Sequence, residues 1–85
     1  MNYIFSQHAL KQMRERNISK ETVENILAKP DQIAAYEDLT VFQHLEKTDK
    51  TLFIIRVFVN MRKSPNIVVT AYRTSKISKY YENKI

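Results

Sequence analysis

Apolar positions change their period once along this chain, and the change divides it. After Ser6, a residue suited to cap a helix, Ala9, Leu10 and Met13 recur at helical spacing, which predicts a helix over about the next ten residues. Asn17 then stands where a helix ends in a left-handed residue, a conformation Asn tolerates. Ser19 is a second N-cap, with Glu21 in the first turn where its charge suits the helix dipole. Val23, Ile26 and Leu27 form the second apolar stripe, and Pro30 stops that helix near Lys29. The N-terminal third therefore reads as two short helices joined by a tight Asn-Ile-Ser turn.

From Ile33 the period becomes two. Leu39, Val41, Gln43 and Leu45 alternate with Thr40, Phe42 and His44, the pattern of a half-buried strand. The polar run 46–50 is a hairpin loop. Residues 51–60 are nearly all β-branched or aromatic, which predicts a central strand covered on both faces. Residues 62–66 make a turn around Pro65 and Asn66, and Ile67 to Arg73 a further strand. Ile77, Tyr80 and Tyr81 have the spacing of a short C-terminal helix. Two short strands, Asn2 to Phe5 and Ile33 to Tyr36, complete the reading. The expected fold is α+β: two N-terminal helices on an antiparallel sheet of about four strands, then a short helix, in one domain over 1–85.

Composition narrows the chemistry. The 85 residues include no Gly, Cys or Trp. Without Cys there is no disulfide, thiolate metal site or cysteine nucleophile. Without Gly neither a Walker loop nor a dinucleotide fingerprint can form, because both bring backbone close to phosphate. The net charge of +5 is one-sided: residues 1–60 carry eight basic and eight acidic side chains, and residues 61–85 carry six basic and one acidic. Such a segment suits a polyanion, or serves as a solvated tail. The start has neither a basic nor an apolar leader region, and no apolar run approaches the ~20 residues of a membrane span. A soluble cytoplasmic protein without a membrane partner is the expectation.

Three places can carry chemistry. His8 and Arg16 are eight positions apart and share a side of the first helix, while Arg14 lies about 120° round from His8. A histidine beside guanidinium groups suits phosphodiester chemistry, as proton shuttle and oxyanion stabiliser. The alternative is a surface histidine bonded locally. Arg56 alternates onto the side of Leu52, Ile54 and Phe58, where an apolar setting requires something to hold it. Either an acid such as Glu37 or Asp38 pairs with it, or it sits at a cleft mouth and binds anions. In the third place, Tyr72 can stack on a base or bond a phosphate, with Arg73 and Lys76 beginning the basic segment. Tyr72 can equally pack over the sheet edge. His44 reads as structural. The two histidines stand 36 positions apart without carboxylates at ligand spacing, so neither metal nor cofactor is expected.

The string Phe5-Ser6-Gln7-His8-Ala9, then Met13-Arg14-Glu15-Arg16-Asn17-Ile18-Ser19, then Val23, Ile26, Leu27 and Pro30, with Val68-Val69-Thr70-Ala71-Tyr72 later, spans almost the whole chain. It resembles a prokaryotic family of small uncharacterised proteins with the pattern S-x-H-A-x-x-R-M-x-x-R-G-I-S, V-x-x-x-[IL]-x-x-P and V-V-T-A-Y. That family is grouped with the BrnT and RelE/ParE-like toxins of the barnase–EndoU–colicin–RelE fold. Gln12 replaces the arginine of the R-M pair, and Asn17 replaces the Gly. The resemblance implies the toxin of a toxin–antitoxin pair, acting as a metal-independent endoribonuclease on RNA, free or on the ribosome. His8, Arg16 and Arg56 would be its catalytic residues, and Arg14, Tyr72, Arg73 and Lys76 would bind RNA. An acidic antitoxin would be its partner. Two other readings share the fold and charge: a non-enzymatic module inhibiting a protein target such as gyrase, and an inactive relative.

Overall fold

In a computed structural model, which describes residues 3–81, both predicted caps close their helices. The Ser6 hydroxyl accepts from the Ala9 N–H at 3.0 Å and opens α1, Gln7–Glu15. The Ser19 hydroxyl accepts from the Thr22 N–H at 3.0 Å and opens α2, Lys20–Ala28. Each removes one of the donors a helix start leaves unpaired. Asn17 adopts φ 56°, beyond the Arg16 cap of α1. Around it the Ile18 N–H reaches the Met13 carbonyl at 2.8 Å and the Asn17 N–H reaches that of Arg14 at 3.3 Å, the paired bonds of a Schellman ending. Met13 and Ile18, on either side of this turn, are both buried. Asn17→Ala should lower unfolding free energy by about 1 kcal/mol, since a Cβ disfavours this backbone and Ala lacks the local polar compensation of Asn. Asn17→Gly should leave it equal or higher, as read by chemical denaturation.

Five strands follow the period-two pattern: β1 Tyr3–Phe5, β2 Gln32–Tyr36, β3 Leu39–Lys47, β4 Leu52–Asn60 and β5 Asn66–Thr74. A single turn of helix, α3 Ile77–Tyr80, ends the described chain. The strand order is β1-β5-β4-β3-β2, so β4 lies at the centre as its composition requires. The sheet has one strand more than the expected four or so, and it is mixed, because β1 pairs parallel with β5. A three-residue strand has no readable period, and this pairing joins Tyr3 to Asn66 across most of the chain. Asn2, where a first strand was expected to start, lies outside the described residues.

Both long helices cover one face. Ala9, Met13, Ile18, Val23, Ile26 and Leu27 form one cluster with Phe42, Ile55, Val57, Val59, Val68 and Ala71. A register shift between Phe58 and Val59 pairs Val59 with Val68 and Val57 with Ala71, so both β5 residues face the helices although three apart. The opposite face carries Gln43, Arg56, Phe58 and Tyr72, and only α3 crosses it among the described helices. No helix among the described residues is long and apolar enough to cross a membrane.

Candidate functional site

Strand register sets Gln32, Gln43, Arg56 and Tyr72 side by side across β2, β3, β4 and β5. Hydrogen bonds run along this row. Arg56 Nε donates to Gln43 Oε1 at 2.8 Å, and Arg56 Nη1 donates to the Tyr72 hydroxyl at 2.7 Å. Gln43 Nε2 donates to Gln32 Oε1 at 3.3 Å and to the Tyr80 carbonyl at 3.1 Å. Gln43 is thus 1% exposed with both ends of its amide used.

Arg56 is 7% exposed, and no described carboxylate pairs with it. Aromatic faces surround its guanidinium instead: the Tyr80 ring lies 4.1 Å from Cζ, the Phe58 ring 5.1 Å and the Tyr72 ring 5.8 Å. Such faces attract a cation without neutralising it. Arg56 Nη2 makes no hydrogen bond to the described residues, yet no buried side-chain nitrogen or oxygen among them lacks a partner. None of the described strand residues facing this side is Asp or Glu. A charged donor whose described partners are all neutral can accept an anion as a further partner.

The two tyrosines differ in acidity. Burial raises the Tyr72 pKa above its ordinary value, against the opposing hydrogen bond from Arg56. A hydrogen bond from Tyr72, then the neighbouring Lys79, lowers that of Tyr80. Groups whose environments push their pKa values apart divide acid and base roles.

Arg16 approaches this face over the free edge of β5. Its Nη1 donates to the Ala71 carbonyl at 2.9 Å, with Thr70 Oγ1 at 3.4 Å and Gln12 Oε1 at 3.1 Å. The Thr70 hydroxyl also donates to Gln12 Oε1. Gln12 acts here as an acceptor, which arginine at that position cannot be. Thr70 and Tyr72 share a strand face, so Arg16 meets β5 two residues before the Tyr72 that bonds Arg56.

The remaining expected site residues spread out. His8 is exposed one helical turn before Gln12, without a hydrogen bond among the described residues. Arg14 is exposed beside a groove between the helices that Met13, Asn17, Ile18 and Thr22 also line. Lys76 is exposed at the start of α3. Arg73 lies on the helix face, where Nε reaches Glu46 Oε1 at 2.7 Å and Nη1 reaches the Arg16 carbonyl at 3.4 Å. Its charge is thereby spent on an ion pair and on the C-terminal end of α1.

The acids considered for Arg56 lie elsewhere. Glu37 and Asp38 form the two-residue turn between β2 and β3, and Asp38 pairs with Arg62 at 3.1 Å in solvent. Gln43 and Tyr80 are the candidate-site residues that the sequence did not single out. The signal for Gln43 was a lone amide in an otherwise apolar alternation.

On the helix face, a groove of about 510 Å³ between α2 and the sheet is lined by Asn25, Lys29, His44 and Glu46 among others. His44 Nδ1 lies 3.1 Å from Asp31 Oδ2, which also accepts the Leu45 N–H at 2.7 Å. Asp31 thus tethers both the histidine and the strand. Among the described residues no group of three or more His, Asp or Glu is placed to hold a metal ion.

Two long helices on one side of a mixed sheet, and an arginine without a described carboxylate partner among tyrosines on the other, define a small α+β protein with a largely open sheet face. The chain belongs to the family described as Domain of unknown function (DUF4258), which its residues 5–73 match. The match includes Arg16, Gln43, Arg56 and Tyr72 and ends before α3 and Tyr80. No curated protein and no solved structure matches the chain.

Proposed function

We propose that the open face binds RNA and cleaves it without a metal, as the toxin of a toxin–antitoxin pair. The observation that carries this reading is the buried Arg56, held by the neutral Gln43 and Tyr72 and paired with no described carboxylate, on a face free of described strand carboxylates. A phosphodiester supplies the missing anion. An attacking 2′-hydroxyl gives its proton to the Tyr80 oxygen as its own oxygen bonds to phosphorus. The bond from phosphorus to the 5′-oxygen breaks, and that oxygen takes the proton of Tyr72. The products are a 2′,3′-cyclic phosphate and a 5′-hydroxyl. Proton return from Tyr80 to Tyr72, whose ring centroids lie 6.5 Å apart, resets the pair. Arg56 and Arg16 offset the charge that grows on the phosphorane oxygens. Lys76 and Lys79 add positive charge where α3 borders the face.

His8 is the competing proton carrier, and substitution separates the two assignments. With RNA in EDTA, Tyr80→Phe should slow cleavage about a hundredfold, and His8→Ala by less than about tenfold. The reverse order would give the role to His8. RNA bound tightly but left intact, alone and with ribosomes, would instead favour a non-enzymatic binding module.

A further inference from the structure

The open face carries more aromatic surface than one phosphate requires. Tyr36, on the outer strand β2, meets Phe58 edge-on at 5.9 Å between ring centroids. Phe58 meets Tyr72 edge-on at 5.8 Å, and Tyr72 meets Tyr80 at 6.5 Å. The rings thus run without a break from the sheet's outer edge to α3, passing over Arg56. Their exposure is graded. Phe58 is buried, Tyr72 and Tyr80 are half-buried, and Tyr36 is 52% exposed. Neither Tyr36 nor the row beyond it pairs with a described acid, and Arg56 is the charge at its centre.

We infer that this row is a stacking platform for unpaired nucleotides, so that the face selects single-stranded over double-stranded RNA. The inference rests on the RNA reading above and names the form of RNA that fits. A duplex keeps its base faces inside the stack and presents only backbone and groove edges. It can meet the Arg56 charge, but it has nothing to lay on Tyr36. A single strand offers both: one phosphate reaches Arg56 Nη2 while the neighbouring base covers the exposed ring of Tyr36. Stacking on aromatic side chains is tolerant of sequence because every base has a π face, so the platform selects strandedness rather than sequence. The positive charge supplies the match to an anionic strand, which an apolar peptide would lack.

The test reads binding without turnover, using fluorescently labelled 2′-O-methyl RNA of about twelve nucleotides, which has no free 2′-hydroxyl to attack. Three probes are compared by anisotropy: the single strand, its duplex, and a strand with abasic positions at the centre and the same charge. The expected result is that the single strand binds at least about tenfold more tightly than either of the others, the scale of one or two stacked bases. Tyr36→Ala should weaken single-strand binding about tenfold and leave abasic binding unchanged. Tyr36→Phe should restore it, because the ring and not the hydroxyl does the stacking. The exposed edge position lets both variants fold, which their thermal transitions check. Equal binding of duplex and single strand, or a Tyr36→Ala variant that binds like wild type, would overturn the platform. In that case weakening of all three probes by Arg56→Met would leave the RNA reading standing. No binding of any probe would overturn both.

Discussion

Arg56→Met should abolish function while leaving the fold as stable as before or more so. RNA cleavage is expected to fall by about two to three orders of magnitude, the scale of removing one preorganised donor from a developing oxyanion. Stability should stay equal or rise by no more than about 1 kcal/mol, because relief from burying the charge is opposed by the donors that Gln43 Oε1 and the Tyr72 hydroxyl lose. In a domain of this size that rise is roughly 4–8 °C in Tm. The balance follows from what holds the arginine: an amide, a phenol and aromatic rings, with no described carboxylate. Gln43 Oε1 loses its donor in this variant, and adding Gln43→Leu removes that unpaired oxygen together with the Nε2 bonds to Gln32 and the Tyr80 carbonyl. Were Arg56 instead a structural element, Arg56→Met would lose several kcal/mol and its remaining folded fraction would cleave at the wild-type rate. Calorimetry and single-turnover cleavage on the same preparation separate the two cases.

Tyr80→Phe should change the shape of the pH profile as well as its height. A general base works unprotonated, so wild-type cleavage should rise with pH and level off as pH passes the lowered pKa of Tyr80. It should fall again only above the raised pKa of Tyr72, where the acid loses its proton. Tyr80→Phe removes the first limb and leaves a slower rate with little pH dependence below the alkaline fall, roughly a hundredfold below the wild-type plateau. Tyr72→Phe keeps the rising limb and loses the alkaline fall. A Tyr80→Phe enzyme with the wild-type profile would show that another group, His8 foremost, carries the proton.

Local features of the fold were legible because they depend on neighbours in sequence. Ser6, Ser19, Asn17 and Pro30 mark helix ends through caps and backbone preference, and the structure places both helix boundaries there. Central β4 was legible from its run of β-branched and aromatic residues. The site was only half legible. Alternation put Arg56 with Leu52, Ile54 and Phe58, but not opposite Gln43 and Tyr72, because register depends on turn lengths and on the shift at Phe58. The same shortfall led to Glu37 and Asp38 as partners: they sit in a turn several residues along β3 from the Arg56 row. Arg73 counted toward the basic patch in composition, yet pairing places it beside Ile55 on the helix face, within reach of Glu46. Tyr80 reaches Arg56 only because α3 folds back over the sheet, and a four-residue helix offers almost no period to reveal that.

The most direct measurement is single-turnover cleavage of 5′-labelled single-stranded RNA in EDTA by wild-type protein and Arg56→Met, with end-group analysis and a matched substrate carrying 2′-deoxyribose at the mapped site. Wild type should leave 2′,3′-cyclic phosphate ends, fail on the deoxy substrate, and outpace Arg56→Met by a hundredfold or more. Cleavage that needs a divalent metal, proceeds on the deoxy substrate, or is unchanged in Arg56→Met would contradict the assignment of this face as a metal-independent ribonuclease site.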